Sequence, residues 1–122
     1  MVAVIENDYK LIKVTPFAPN LGAEIRGVDL SRPMPNDQFT EIHDAFLTYQ
    51  VLFFKEQAEI PPDQHIAFGK RFGDLHAHPA APTMEGHPEI FEIHATRNSK
   101  VANGEFWHSD VSCDETPPLG TM

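Results

Sequence analysis

The chain has 122 residues, enough for one domain or a piece of one, and its 41% hydrophobic content is ordinary for a globular fold. Nine basic against eighteen acidic residues give a net charge of −9 with no basic stripe, which argues against nucleic acid and anionic membranes as partners. No apolar run can span a bilayer, Met1 to Lys10 lacks the basic-then-apolar order of a secretory signal, and Cys113 is alone, so a soluble cytoplasmic protein without an internal disulfide is expected.

Lys10 to Thr15 alternates Leu11, Lys13 and Thr15 against Ile12 and Val14, the period of a strand. Pro16 to Asn20 reads as a turn, and Gly22 to Val28 as a second strand with Ala23, Ile25 and Gly27 on one side. Ser31 to Pro35 is a loop. Asn36 or Asp37 is placed to cap a helix by accepting from a first-turn amide. Phe39, Ile42, Phe46 and Tyr49 then recur at helical spacing as an apolar stripe, with Glu41, Asp44 and Thr48 away from it. Val51 to Phe54 is a continuous apolar run, expected of a strand buried on both faces. Pro61 and Pro62 open a second helix, where proline forfeits no hydrogen bond. Ile66, Phe72 and either Ala67 or Phe68 face inward, and Gly73 ends it. Glu89 to Ala95 is a strand candidate, and Arg97 to Gly104 a polar loop. Leu119 to Met122 has the look of a strand just beginning. Cys113 is expected to be a small buried or half-buried side chain, since no motif prepares it as a nucleophile.

Chemistry concentrates in His108-Ser109-Asp110. In an extended stretch, residues two apart share a face. One imidazole nitrogen and one carboxylate oxygen can then meet a single divalent metal. A further histidine from elsewhere would complete a facial triad with open positions. The bare spacing is common; its neighbours raise it.

Phe106-Trp107-His108-Ser109-Asp110-Val111, followed by Glu115-Thr116-Pro117-Pro118, resembles the iron-binding segment of the taurine dioxygenase (TauD/TfdA-like) family of iron(II)/2-oxoglutarate dioxygenases. Leu21 to Ile25, Gly27 to Leu30, Phe39 to Gln50 and Arg71 to Pro79 match the same family in order, so the likeness runs from about Leu11 to Thr121. The resemblance implies an α+β, mainly β fold, with residues 1–122 as the N-terminal portion of a double-stranded β-helix, jelly-roll-like and flanked by helices. It implies Fe(2+) as cofactor, 2-oxoglutarate as co-substrate and oxygen as oxidant. The product would be a hydroxylated small anionic substrate, released with succinate and carbon dioxide. His108 and Asp110 correspond to the family's first metal histidine and its carboxylate, and His78 to a contact for the sulfonate of taurine. Phe106 and Trp107 would pack beside the iron. The second metal histidine and the arginine that grips 2-oxoglutarate lie far downstream in the family, beyond Met122, so no residue is assigned to the co-substrate. The chain taken alone is therefore expected to be catalytically incompetent. Family members are commonly oligomers, which implies a homo-oligomer without setting a subunit number.

Two positions depart from the taurine pattern. Ala81 stands where a tyrosine is usual, and an ungapped count puts Gly104 where an asparagine is usual, with Asn103 adjacent as a replacement substrate contact. Both changes weaken recognition of an amino-sulfonate and enlarge the pocket. Other sulfonates, alkyl sulfate esters and aryloxyalkanoates become comparable candidates. A zinc hydrolase built on His76-Ala77-His78 is the rival chemistry, but Ala80 replaces the aspartate such a motif needs. His76 reads as a surface or packing residue, and His43, His65, His87 and His94 as structural. Asp74, just after Gly73, reads as a turn or capping residue. The rival from another class is a catalytically inactive truncated remnant that acts only as a binding or interaction module.

Overall fold

The structure, a computed structural model, describes residues 8–77, 82–100 and 106–122. It divides into two units, Met1–Phe68 and Gly69–Met122. In the first unit, β1 (Lys13–Pro16), β2 (Ala23–Arg26) and β3 (Leu52–Phe54) form a sheet in the order β1-β2-β3. β1 runs antiparallel to β2 with Val14 opposite Ile25, and β3 runs parallel to it with Phe54 opposite Ile25. The parallel pair requires a crossover, supplied by α1 (Asn36–Tyr49). Alternation along β2 buries Ala23 and Ile25 completely, while Glu24 and Arg26 remain half-buried on the other face. On that face Arg26 pairs with both Glu24 and Glu56.

The apolar stripe of α1 forms as its spacing predicts. Ile42 and Tyr49 are buried, Phe39 and Phe46 half-buried, and Ala45 joins them at zero exposure. Phe68 of α2 (Pro62–Gly69) packs its ring edge-on against Phe39 and against Phe54, each at a centroid distance of 6.1 Å. The start of α1 differs from expectation. Pro35 is the N-cap and makes no side-chain cap bond, so Asn36 and Asp37 lie inside the first turn. Asp37 still serves the helix end, because its Oδ1 accepts from Gln38 N at 2.9 Å. At the other end Gln50 adopts a left-handed φ of 65°, and its amide donates to Phe46 O at 2.7 Å, which reverses the chain directly into β3.

β3 is not buried on both faces. It is an edge strand, since β2 occupies the centre, and Val51 and Phe53 are 43% and 48% exposed. A continuous apolar run does not reveal which neighbours a strand has; the Phe53 ring instead meets Phe17 edge-on at 5.2 Å.

Glu41, which helical spacing places off the apolar stripe, is half-buried and holds β1's approach to the core. Its carboxylate accepts from the amides of Lys10, Leu11 and Ile12 at 2.9, 2.8 and 3.1 Å. Tyr9 Oη donates to Asp44 at 3.1 Å, and Gln38 Nε2 donates to the carbonyls of Leu11 and Gly27. Partial burial pushes the Glu41 carboxyl up, but the three amide donors together outweigh it and hold the carboxyl below its ordinary range.

In the second unit, Phe72 N donates to Gly69 O, so α2 ends at Gly69 and a turn follows, whereas the sequence places the helix end at Gly73. A Cβ at position 69 would come within 3.1 Å of Leu75 Cδ2, so the leucine side chain would have to shift to admit one. β4 (Thr83–Met84) pairs antiparallel with β5 (His87–Phe91). The strand expected over Glu89 to Ala95 thus begins earlier, at His87, and ends at Phe91. Gly86, at a φ of 79°, makes the tight reversal between the two strands. Arg97 to Lys100 is irregular as expected, tightened by a bond from Ser99 N to Thr96 O at 3.0 Å. Leu119 to Met122 forms no strand, as no neighbouring strand pairs with it among the described residues, and Cys113 is exposed rather than buried. No helix of the described residues is long and apolar enough to cross a membrane.

A group whose carboxyl is depressed on folding stabilises the fold above the ordinary carboxylate range, and that contribution is lost as the pH falls through its lowered value. Glu41→Gln is therefore expected to cost about 1 kcal/mol at neutral pH, by losing a charged acceptor whose worth solvent already screens in part. It should also flatten the acid limb of the stability curve, with urea unfolding across pH as the measurement. An unchanged acid limb would show that Glu41 does not carry it.

Candidate metal centre

Residues 107–109 are irregular rather than part of a strand, and a turn begins at Asp110. The two side chains nevertheless converge: His108 Nε2 lies 3.2 Å from Asp110 Oδ1. His108 Nδ1 lies 2.6 Å from Phe106 O. A carbonyl can only accept, so Nδ1 carries a proton; the Asp110 carboxylate also only accepts, so Nε2 meets it either as a donor from a protonated ring or through a metal ion that both would bind. This is the arrangement by which a second hydrogen bond fixes the tautomer of a metal-binding imidazole.

Two neighbouring ligands of one divalent ion, each about 2.0–2.2 Å from it, stand roughly 3 Å apart. The His108–Asp110 separation fits that spacing, and both side chains are more than half exposed, so an ion can reach them. The donor set, one imidazole and one carboxylate, suits a first-row divalent ion with positions left over. No group of three or more His, Cys, Asp or Glu side chains that could hold a metal occurs among the described residues. The segment therefore offers two ligands.

The turn after the pair holds features that sequence reasoning does not single out. Val111 has a left-handed φ of 49°, Asp114 N donates to Val111 O at 3.1 Å, and the hydroxyls of Ser109 and Ser112 share a hydrogen bond of 2.8 Å. A β-branched residue gives no sequence signal for a left-handed backbone, since its type disfavours it. His76 Nε2 approaches Asp114 Oδ2 at 4.0 Å, which joins His76 to this loop rather than to the His108–Asp110 pair. Phe106 and Trp107 are exposed, Trp107 fully. His78, Ala81, Asn103 and Gly104 lie outside the described residues. His43 tilts against the Phe39 ring at 5.9 Å, in keeping with a structural role.

A family model described as taurine catabolism dioxygenase TauD, TfdA family, matches residues 13–122. The chain belongs to this family. An alkylsulfatase of Acinetobacter baylyi is 31% identical over 118 residues, which is 97% of this chain and 36% of that protein. An alpha-ketoglutarate-dependent sulfate ester dioxygenase of Pseudomonas putida is 32% identical over 91% of this chain and 36% of its own length. Among solved structures, a taurine dioxygenase from Burkholderia xenovorans superposes with a TM-score of 0.70 at 32% identity, over 88% of this chain and 38% of that one. The chain thus spans little more than a third of these TauD/TfdA relatives.

The Phe106 carbonyl makes a defined claim about the imidazole. Nitrogen NMR of the chain is expected to find a proton on Nδ1. A ring protonated on Nε2 alone would show that the Phe106 carbonyl does not set the tautomer.

Proposed function

We propose that residues 1–122 form the N-terminal part of a double-stranded β-helix dioxygenase domain. In this reading the whole protein uses iron(II) and 2-oxoglutarate to hydroxylate a small anionic organic substrate. The observation that carries this reading is the convergence of His108 Nε2 and Asp110 Oδ1 at 3.2 Å, inside the segment that matches the TauD/TfdA family. His108 and Asp110 hold the metal, and the Phe106 carbonyl keeps the imidazole in the metal-binding tautomer. When bound, the iron supplies the redox chemistry that couples decarboxylation of 2-oxoglutarate to hydroxylation of a C–H bond. His78 donates to the anionic head group of the substrate and Asn103 contributes a second contact. The remaining metal histidine and the co-substrate arginine, as the family pattern implies, come from sequence outside these residues.

Sulfate esters are favoured over taurine as the substrate class. Two relatives carry that chemistry in their names, alkylsulfatase and sulfate ester dioxygenase. Ala81 and Gly104 stand where the tyrosine and asparagine are expected for a small amino-sulfonate, and the loss of both side chains would leave room for a longer alkyl chain. Hydroxylation of the carbon that bears the ester oxygen leaves a product that expels sulfate and collapses to an aldehyde. Other sulfonates and aryloxyalkanoates present a comparable anion to His78.

The intact mass of the protein in its native source, set beside 13.7 kDa, is the first measurement. The native protein is expected to be larger and to release succinate in step with oxygen uptake on an alkyl sulfate, faster than on taurine. Asp110→Ala should abolish the coupled reaction. The 122-residue chain alone should release no succinate. Faster turnover of taurine than of any bulkier anion would overturn the substrate class, and full coupling in Asp110→Ala would overturn the metal assignment.

A further inference from the structure

The segment after the metal motif doubles back on itself. Asp110 is followed by Val111 at a φ of 49°, a conformation that a β-branched side chain adopts only under steric strain. Such strain persists only where surrounding interactions impose it, and it gathers at functional sites. Here the interactions are local. The left-handed residue returns Ser112 to Ser109, whose hydroxyls bond at 2.8 Å, and Asp114 N closes onto Val111 O at 3.1 Å. Asp110 lies inside the loop so closed. Ser109, one of its two anchors, is also the residue between the two candidate ligands.

We infer that Ser109, Val111 and Ser112 act together as a clasp that positions Asp110 for metal binding. They are assigned as positioning residues, acting through Asp110 rather than as ligands. This inference rests on the reading of His108 and Asp110 as ligands. Opening the clasp lets the backbone at Ser109 rotate, which breaks the geometry that brings Oδ1 within 3.2 Å of Nε2. The clasp is made wholly within 109–114, so it acts in the isolated chain. It also requires hydroxyls at 109 and 112 and a left-handed backbone at 111, three features that can be changed one at a time.

The test uses Mn(II) added to the 122-residue chain, read as paramagnetic broadening of the His108 ring protons by NMR, with the first-unit resonances as a folding control. Asp110→Ala is expected to reduce the broadening to that of an isolated exposed imidazole. Ser112→Ala should require about two- to tenfold more Mn(II) for half-maximal broadening, the effect of one hydrogen bond. Ser112→Thr keeps a hydroxyl and should behave as the unsubstituted chain does. Val111→Asn, which tolerates the left-handed backbone better, should need less Mn(II). If Asp110→Ala reduces the broadening but Ser112→Ala and Val111→Asn leave it unchanged, the clasp is overturned while the ligand pair stands. If Asp110→Ala leaves it unchanged, the pair fails and the clasp fails with it.

Discussion

The first unit depends on strand β2. Ala23 and Ile25 are fully buried on one of its faces, and both remaining strands take their register from it, one antiparallel and one parallel. Because a parallel neighbour cannot be reached by a tight turn, the chain must leave the sheet and return, and α1 is that crossover. The helix brings Ile42 and Ala45, both at zero exposure, and its C-terminal reversal at Gln50 delivers β3 to the edge. Apolar burial alone would not align the antiparallel arm. That task falls to Glu41, whose carboxylate gathers three consecutive amides just before β1 and thereby satisfies backbone donors that have no strand partner there. One charged side chain on the rim of a helix thus completes what the core begins.

The candidate centre is built on a different principle. Its two ligands lie two residues apart in an irregular, exposed segment, and short-range contacts make them converge. The Phe106 carbonyl, two residues before His108, reaches the imidazole ring directly. A serine hydroxyl bond then closes the turn beyond Asp110. A site of this kind needs little of the core to exist. Among the described residues no third His, Cys, Asp or Glu joins the pair in a group that could hold a metal. Phe106 and Trp107, beside the pair, are exposed.

Legibility in the sequence follows the range of the interactions. The period of Phe39, Ile42, Phe46 and Tyr49 announces α1 because helical burial is a local pattern repeated over several turns. The hairpin at Gly86 escapes such a reading, because two short strands with polar residues carry little periodicity and only their pairing makes them strands. Helical spacing sets Glu41 apart from the apolar stripe, but it reports a helix face and not what an incoming segment will bring to it. Residue type places Cys113 inside, yet it lies on an exposed turn. The His-x-Asp motif is visible at once in the sequence, although the stretch that carries it belongs to no strand.

By itself the sequence determined the apolar stripe of α1, the buried side of β2, the His-x-Asp pair of His108 and Asp110, and membership of the TauD/TfdA family. Each is set by residue chemistry or by a pattern that survives without knowledge of neighbours. Only the tertiary structure decided that β3 is an edge, that Glu41 clamps the approach to β1, and that Val111 bends back to close a loop around Asp110. These depend on which distant backbone groups come within hydrogen-bond reach and on a torsion that residue type disfavours, and neither is written in the order of the residues.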